Sequence, residues 1–276
     1  MKANKTTELK IGTYFVGFYA LWAILWLINS YLFKGSLFES YKPLPNIETE
    51  LLGFSSDFFL GTDIYGRSLL EVLSEGLSYT FMTSLTVSFL SAVIGIFIGY
   101  LATIDNKMIK TSFDLLINVI FIFPTILVAI LIMSLVGQSY WGLIFALVVT
   151  GWPGYAKIAR GEILRIMGMD YVEGAKAVGA SRFRLFFSAI FPNLLPFIVI
   201  HFVLGLSGVI ISEATLGFLG LGGSEYSWGA LLSIAKNVLL EAPRITVILS
   251  ICIAGIIIGL NLLGDGLRDY LDPHQQ

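Results

Sequence analysis

Charge, cysteine and histidine are all scarce in this chain, and each shortage removes a class of protein. Asp, Glu, Lys and Arg make up 13% of its 276 residues, about half the ~25% share of an ordinary soluble domain. Hydrophobic residues make up 56%, and the mean hydropathy is +0.84. A soluble protein with so few charges could not cover its own surface, so the chain reads as a membrane protein. A basic excess is also missing, since 17 Lys and Arg stand against 19 Asp and Glu. A nucleic-acid partner would need a basic stripe, and that class is set aside. The single cysteine, Cys252, excludes a disulfide framework and a thiol metal cluster. There is no G-x-x-x-x-G-K-[S/T] segment to cradle a phosphate and no H-E-x-x-H to hold zinc. No cofactor, metal or catalytic residue is expected on this chain.

What the sequence has instead is long apolar runs. About 20 mainly apolar residues cross a hydrocarbon core as a helix. Six stretches qualify: 11–33, 79–103, 113–136, 138–155, 194–219 and 245–263. The expected fold class is therefore all-α, a polytopic bundle of six transmembrane helices. The first stretch is too long for a signal peptide and lacks an A-x-A cleavage site, so it reads as a retained helix. Pro124 should kink the third span, and Gly151-Trp152-Pro153-Gly154 should break the last turns of the fourth. Orientation follows from the basic residues. With the N-terminus inside, twelve of the 17 Lys and Arg fall on the cytoplasmic side. Both termini are then cytoplasmic, in the inner cell membrane. The stretches 34–78 and 220–244 are external, and 156–193 is the long cytoplasmic connector.

Several residues invite chemistry and have to be weighed. Gly205-Leu206-Ser207-Gly208 looks like the serine motif of an intramembrane protease, which needs a histidine within hydrogen-bond reach. His201 lies six residues earlier, about 240° around the helix at ~100° per residue, and faces away. Gly95-x-x-x-Gly99 and Gly255-x-x-x-Gly259 read as helix-packing pairs in lipid. Glu213, near the outer end of the fifth span, is a candidate translocation-path residue because ionisable groups inside membranes are costly. Its simpler reading is an interfacial glutamate bonded to a neighbouring helix.

The most informative segment is Asp170-Tyr-Val-Glu-Gly-Ala-Lys-Ala-Val-Gly179. Asp170 followed by Glu173 has the pattern of a capping box and predicts a helix from Tyr171. Gly179 stands where a left-handed residue would end it after about two turns. Ser181 should cap the next helix, which runs through Arg182 and Arg184 towards Pro192. A short exposed helix would then lie across the cytoplasmic face, rich in small residues (Gly174, Ala175, Ala177). Its plain alternative is a connector in which Glu173 only caps. The connector is long, however, and long ordered loops usually carry function.

Glu173-Gly174-Ala175, followed by Gly179 and then Pro192, resembles the EAA loop of permease subunits in ATP-binding-cassette importers. Gly174 replaces the first alanine of that pattern, and Ala189 and Phe191 replace the isoleucine and leucine of its tail. Other segments resemble the dipeptide, oligopeptide and nickel branch. They are Leu60-Gly-Thr-Asp-Ile-Tyr-Gly-Arg-Ser-Leu69, then Leu216-Gly-Phe-Leu-Gly-Leu-Gly222 with Ser227-Trp-Gly-Ala230. The ending Asn261-Leu-Leu-Gly-Asp-Gly-Leu-Arg-Asp-Tyr-Leu-Asp-Pro273 follows the same branch. Together they cover the chain from about residue 60 onward, in the manner of the second of two permeases.

The resemblance implies the type I importer fold, with residues 1–78 as an N-terminal part and 79–276 as the transmembrane domain. Glu173, Gly174, Ala175, Gly179 and Ser181 would couple the spans to two separate ATPase subunits, where ATP is used. A homologous second permease, an extracytoplasmic binding protein and membrane lipid are the other implied partners. The implied solutes are dipeptides, oligopeptides, nickel chelates or glutathione. The rival from another class is a stand-alone channel or secondary transporter. That would need intramembrane charges and paired broken helices, whereas the spans are nearly charge-free and show no repeat.

Overall fold

The computed structural model describes residues 2–34 and 44–271. Lys42, the Asp272-Pro273 ending and His274 lie outside the described residues, as do the side chains of Lys2, Lys5 and Lys34. Among the described residues the regular elements are helical. They are α1 (Lys2–Lys34), α2 (Leu69–Leu101), α3 (Lys107–Ile122), α4 (Thr125–Val136), α5 (Tyr140–Met167) and α6 (Asp170–Ala177). The chain continues through α7 (Arg182–Phe218), α8 (Trp228–Ala235) and α9 (Pro243–Leu271). Five of these are long and apolar enough to cross a membrane, or six elements if the bent pair α3–α4 counts as one.

α2 is the central post. Gly95 and Gly99 on its inner face let α5 come within backbone contact, and a Cβ on Gly99 would lie 2.8 Å from the Ala156 carbonyl. Close approach through small residues is how helices associate where water supplies no driving force. α1 packs along α9 in the same way, with Tyr19 and Phe15 seated over Gly255 and Gly259. The Tyr19 hydroxyl donates to the Cys252 carbonyl at 3.1 Å. α7 lies between α5 and α9, tied to the latter where the Ser207 hydroxyl donates to Asn261 Oδ1 at 3.2 Å.

The boundaries depart from the hydropathy reading in four places. α2 begins at Leu69 and not at Tyr79, which brings Glu71 and Glu75 into the helix. Glu75 is buried and accepts from Trp26 Nε1 of α1 at 2.9 Å, so an indole conceals the charge that hid this turn from a hydropathy scan. The third span is broken and not merely kinked. Phe123 (ψ 136°) and Pro124 (ψ 121°) are both extended, as a proline and its predecessor favour, and the axis turns by 87°.

α5, by contrast, runs unbroken through Pro153 to Met167. Prolines are tolerated inside membrane helices when the surroundings satisfy the freed backbone. With α7 already under way at Arg182 and including a π-helical turn at Phe186–Ile190, the extended connector 156–193 contracts to Gly168–Ser181. Finally, 220–244 is no open external stretch, because α8 tucks into the bundle with Trp228 fully buried.

Candidate functional site: helix α6 and the two ends of the bundle

α6 is an eight-residue helix on the connector between α5 and α7. Its C-terminus carries the hydrogen bonds of a Schellman motif: Ala180 N–H donates to the Ala175 carbonyl and Gly179 N–H to the Lys176 carbonyl, both at 3.0 Å. Gly179 takes the left-handed φ of +85° that the spacing predicts, with open space around its Cα. Ser181 caps α7 as expected, its hydroxyl accepting from Arg184 N–H at 3.3 Å.

The N-terminus differs from the expectation. Met169 is the N-cap and Asp170 the first helical residue, so the capping box does not form. Methionine offers no acceptor oxygen, and Asp170 and Glu173 contribute only negative charge to the first turn, which the helix dipole favours. Glu173 is exposed and its carboxylate forms no hydrogen bond or ion pair among the described residues. Gly174 is likewise exposed with nothing near its Cα, while Ala175 packs half-buried against the α5–α7 core.

Two contacts seat the helix on the bundle. Val172 is fully buried in a cluster with Ile163, Ile166 and Leu185. Asn193 Nδ2 of α7 donates to the Tyr171 hydroxyl at 3.1 Å. Neither tie was read from the sequence, although a buried valine at the third position of a two-turn helix is a legible apolar anchor. Beside α6, the turn between α2 and α3 holds Asp105, whose carboxyl lies below the ordinary range because Lys110 donates to it at 2.8 Å.

The opposite end is built from the family-like segments 60–69 and 216–230. Asp63 accepts from the Tyr65 and Arg67 N–H groups at 2.9 Å and pairs with the Arg67 guanidinium at 2.6 Å, and both Asp63 and Arg67 are buried. That guanidinium lies 4.7 Å from the Tyr65 ring centroid and 5.3 Å from that of Tyr226. Arg244, at the start of α9, donates to the carbonyls of Leu51, Leu52 and Thr62. The Ser227 hydroxyl caps α8 by accepting from Ala230 N–H at 3.2 Å, and Trp228 Nε1 donates to the Leu73 carbonyl at 3.0 Å.

Between the two ends, Glu213 is buried and its Oε2 accepts from the Thr80 hydroxyl of α2 at 3.1 Å. Ser207 is bonded to the Leu204 carbonyl and Asn261, and His201 packs edge-on against Tyr155 at 4.6 Å. The histidine and serine are thus separately engaged, and no protease pair forms. Asp114 of α3 is ion-paired with Arg160 of α5. Among the described residues no group of three or more His, Cys, Asp or Glu is placed to hold a metal ion.

These features define an all-α permease bundle with a protruding helix at one end, and comparison with known proteins agrees. Residues 91–276 match the family described as "Binding-protein-dependent transport system inner membrane component". The di/tripeptide transport system permease protein DppC of Pseudomonas aeruginosa is 31% identical over 231 residues, covering 81% of this chain and 74% of that protein. The glutathione transport system permease protein GsiD of Escherichia coli is 32% identical over 241 residues, covering 85% and 77%.

Among solved structures, the MetNI methionine ABC transporter in an inward-facing form aligns with TM-score 0.62 at 19% identity, covering 73% of this chain and 97% of that one. An amino acid ABC transporter crystallised with histidines aligns at TM-score 0.55 and 19% identity, covering 72% and 94%. The fold is that of ABC importer permeases. The chain belongs to the family of binding-protein-dependent transport inner membrane components.

Proposed function

We propose that this chain is the second of two homologous permeases in an ATP-driven importer of peptides or related small solutes. The solute class rests on its likeness to peptide and glutathione permeases, with nickel chelates as a further candidate. In this reading the chain has the type I arrangement, crosses the membrane six times and keeps both termini in the cytoplasm. Residues 79–276 form the transmembrane domain, and 1–78 an accessory part whose boundary falls within α2. Two ATPase subunits bind at the α6 end, and an extracytoplasmic binding protein delivers solute at the other.

The observation that carries the proposal is α6 itself. It is short, closed by Gly179, anchored through Val172 and Tyr171, and carries Glu173 and Gly174 on its exposed side. Such a helix transmits a push as one rigid piece. Glu173, Gly174 and Ala175 then form the ATPase-facing surface, while Gly179 and Ser181 fix its angle. The unengaged Glu173 carboxylate is available to a basic residue of the ATPase. Glu213 we read as a tie between α2 and α7 and not as a translocation-path group, supported by its burial and its bond to Thr80.

Reconstitution tests the energy source. The purified chain alone should hydrolyse no ATP above background, and peptide uptake should require the co-expressed ATPases. Uptake by the chain alone on a proton or sodium gradient would instead make it a secondary transporter. Orientation is tested by cysteines at the exposed Ser56 and Ser181 in a Cys252→Ser background. Ser56→Cys should react with an impermeant thiol reagent in intact cells, and Ser181→Cys only after permeabilisation.

A further inference from the structure

On the side of the bundle where α6 lies, a cleft of about 510 Å³ opens between α5, α7 and α9. Three helices send ionisable groups into it: Glu162 and Arg165 from α5, His201 from α7, and Arg268 from α9. The rest of the wall is apolar, with Pro196 and Phe197 among its residues. Arg165 is engaged, since its Nε donates to Glu162 Oε2 at 2.7 Å and its guanidinium lies 5.2 Å from the Phe197 ring centroid. The Arg268 guanidinium makes no ion pair or hydrogen bond among the described residues.

A cation in the last turn of α9 is favoured by the helix dipole. The dipole does not explain why ionisable groups from three helices share one cleft. Ionisable side chains inside a membrane bundle face its interior or a water-filled cavity, and they mark solute routes. The polar character also continues deeper. His201 meets the Tyr155 ring, and the Tyr155 hydroxyl, 4% exposed as a residue, has no hydrogen-bond partner.

We propose that this cleft is a binding site for the transported solute, with Arg268 receiving the solute's carboxylate. The proposal rests on the import reading above and assigns residues to it. The mixed charges favour a zwitterionic peptide. Glu162 beside the two arginines would repel a phosphate, and His201 set deep in the wall is a poor neighbour for an acyl chain. The volume lies within the ~300–1,000 Å³ of small-molecule sites.

The test uses the assembled importer in phosphatidylcholine nanodiscs, titrated calorimetrically with dialanine, trialanine and dialanine amide. Arg268→Gln should weaken binding of the free-acid peptides about tenfold, the scale of one charge-assisted hydrogen bond. Arg268→Lys should recover most of it. Dialanine amide should bind the wild type about as weakly as dialanine binds Arg268→Gln. Equal dialanine affinity in wild type and Arg268→Gln would overturn the proposal. So would stabilisation by added phosphatidylglycerol that depends on Arg268 while peptides have no such dependence, which would assign the cleft to lipid. A wild-type importer that takes up no peptide in cells fails the import reading itself, and this proposal with it.

Discussion

The two ends of the bundle are built on opposite plans. At the end formed by 44–68, α8 and the start of α9, polar groups are turned inward and matched. Asp63 holds Arg67 between two tyrosine rings, Arg244 gathers three carbonyls, and Trp228 buries its indole with its N–H bonded. At the α6 end, several side chains are turned outward and left unmatched. Glu173 is unengaged, Val178 is 86% exposed and Phe183 is 74% exposed. Buried, paired polar groups of this kind act first on stability, whereas the outward-turned groups at the α6 end are open to a partner. In the proposed reading, substitutions in the Asp63, Arg67 and Trp228 network act on stability, and those on α6, the proposed docking face, act on coupling.

Trp228→Ala should give the largest effect and would break the comparison if it did not. The substitution empties a fully buried site and removes the indole's bond to the Leu73 carbonyl, so it should cost about 3–5 kcal/mol. Thermal unfolding in detergent should show the loss directly, and little folded chain should reach the membrane. A Trp228→Ala chain that melts like the wild type would mean that α8 is a loosely laid loop and the closed end is not closed.

Gly179→Val should follow, with a smaller cost confined to the docking face. A β-branched residue resists the +85° φ at this position, and holding it there costs about 1–3 kcal/mol. The strain can be relieved by opening the Schellman turn, which would tilt α6 while the spans stay folded. Co-purification of the ATPases should therefore fall sharply while the melting temperature of the chain moves little. Gly174→Ala is the control. It adds a methyl where nothing lies within 4 Å and should leave both readouts unchanged.

The docking face was the more legible of the two ends, for a physical reason. α6 and its turn are set by local rules, and a glycine two turns after a helix start specifies its own φ. The cap failed because Asp170 competes with its neighbour for the N-cap position, and a one-residue shift removes the box. The closed end depends on contacts between residues far apart in sequence. The bond from Trp26 to Glu75 and that from Trp228 to Leu73 leave no periodic trace. A hydropathy window therefore starts α2 ten residues late and does not show that α8 packs into the bundle. Proline was read as a kink at Pro124, where the span breaks, and as a break near Pro153, where the helix continues, since the residue weakens a helix in both places and only the tertiary surroundings decide the outcome. The cleft of Arg268 and His201 was out of reach for the same reason, being assembled from three helices.

Glu173→Gln should have the smallest structural effect, and it separates the two plans most cleanly. Had the capping box formed, glutamine could serve in it as glutamate does, and the change would be silent everywhere. The structure removes that ambiguity, because no side chain caps α6 and the Glu173 carboxylate has no partner among the described residues. Loss of its charge should leave the melting temperature and membrane level unchanged. If a basic residue of the ATPase pairs with it, the substitution should lower peptide uptake while ATP hydrolysis by the assembled complex persists. The two rates should be measured on one preparation, with Glu173→Asp as the charge-preserving comparison. Uptake and hydrolysis both at wild-type levels in Glu173→Gln would show that the face works by shape alone, and the coupling role would then fall to Gly179 and the angle it sets.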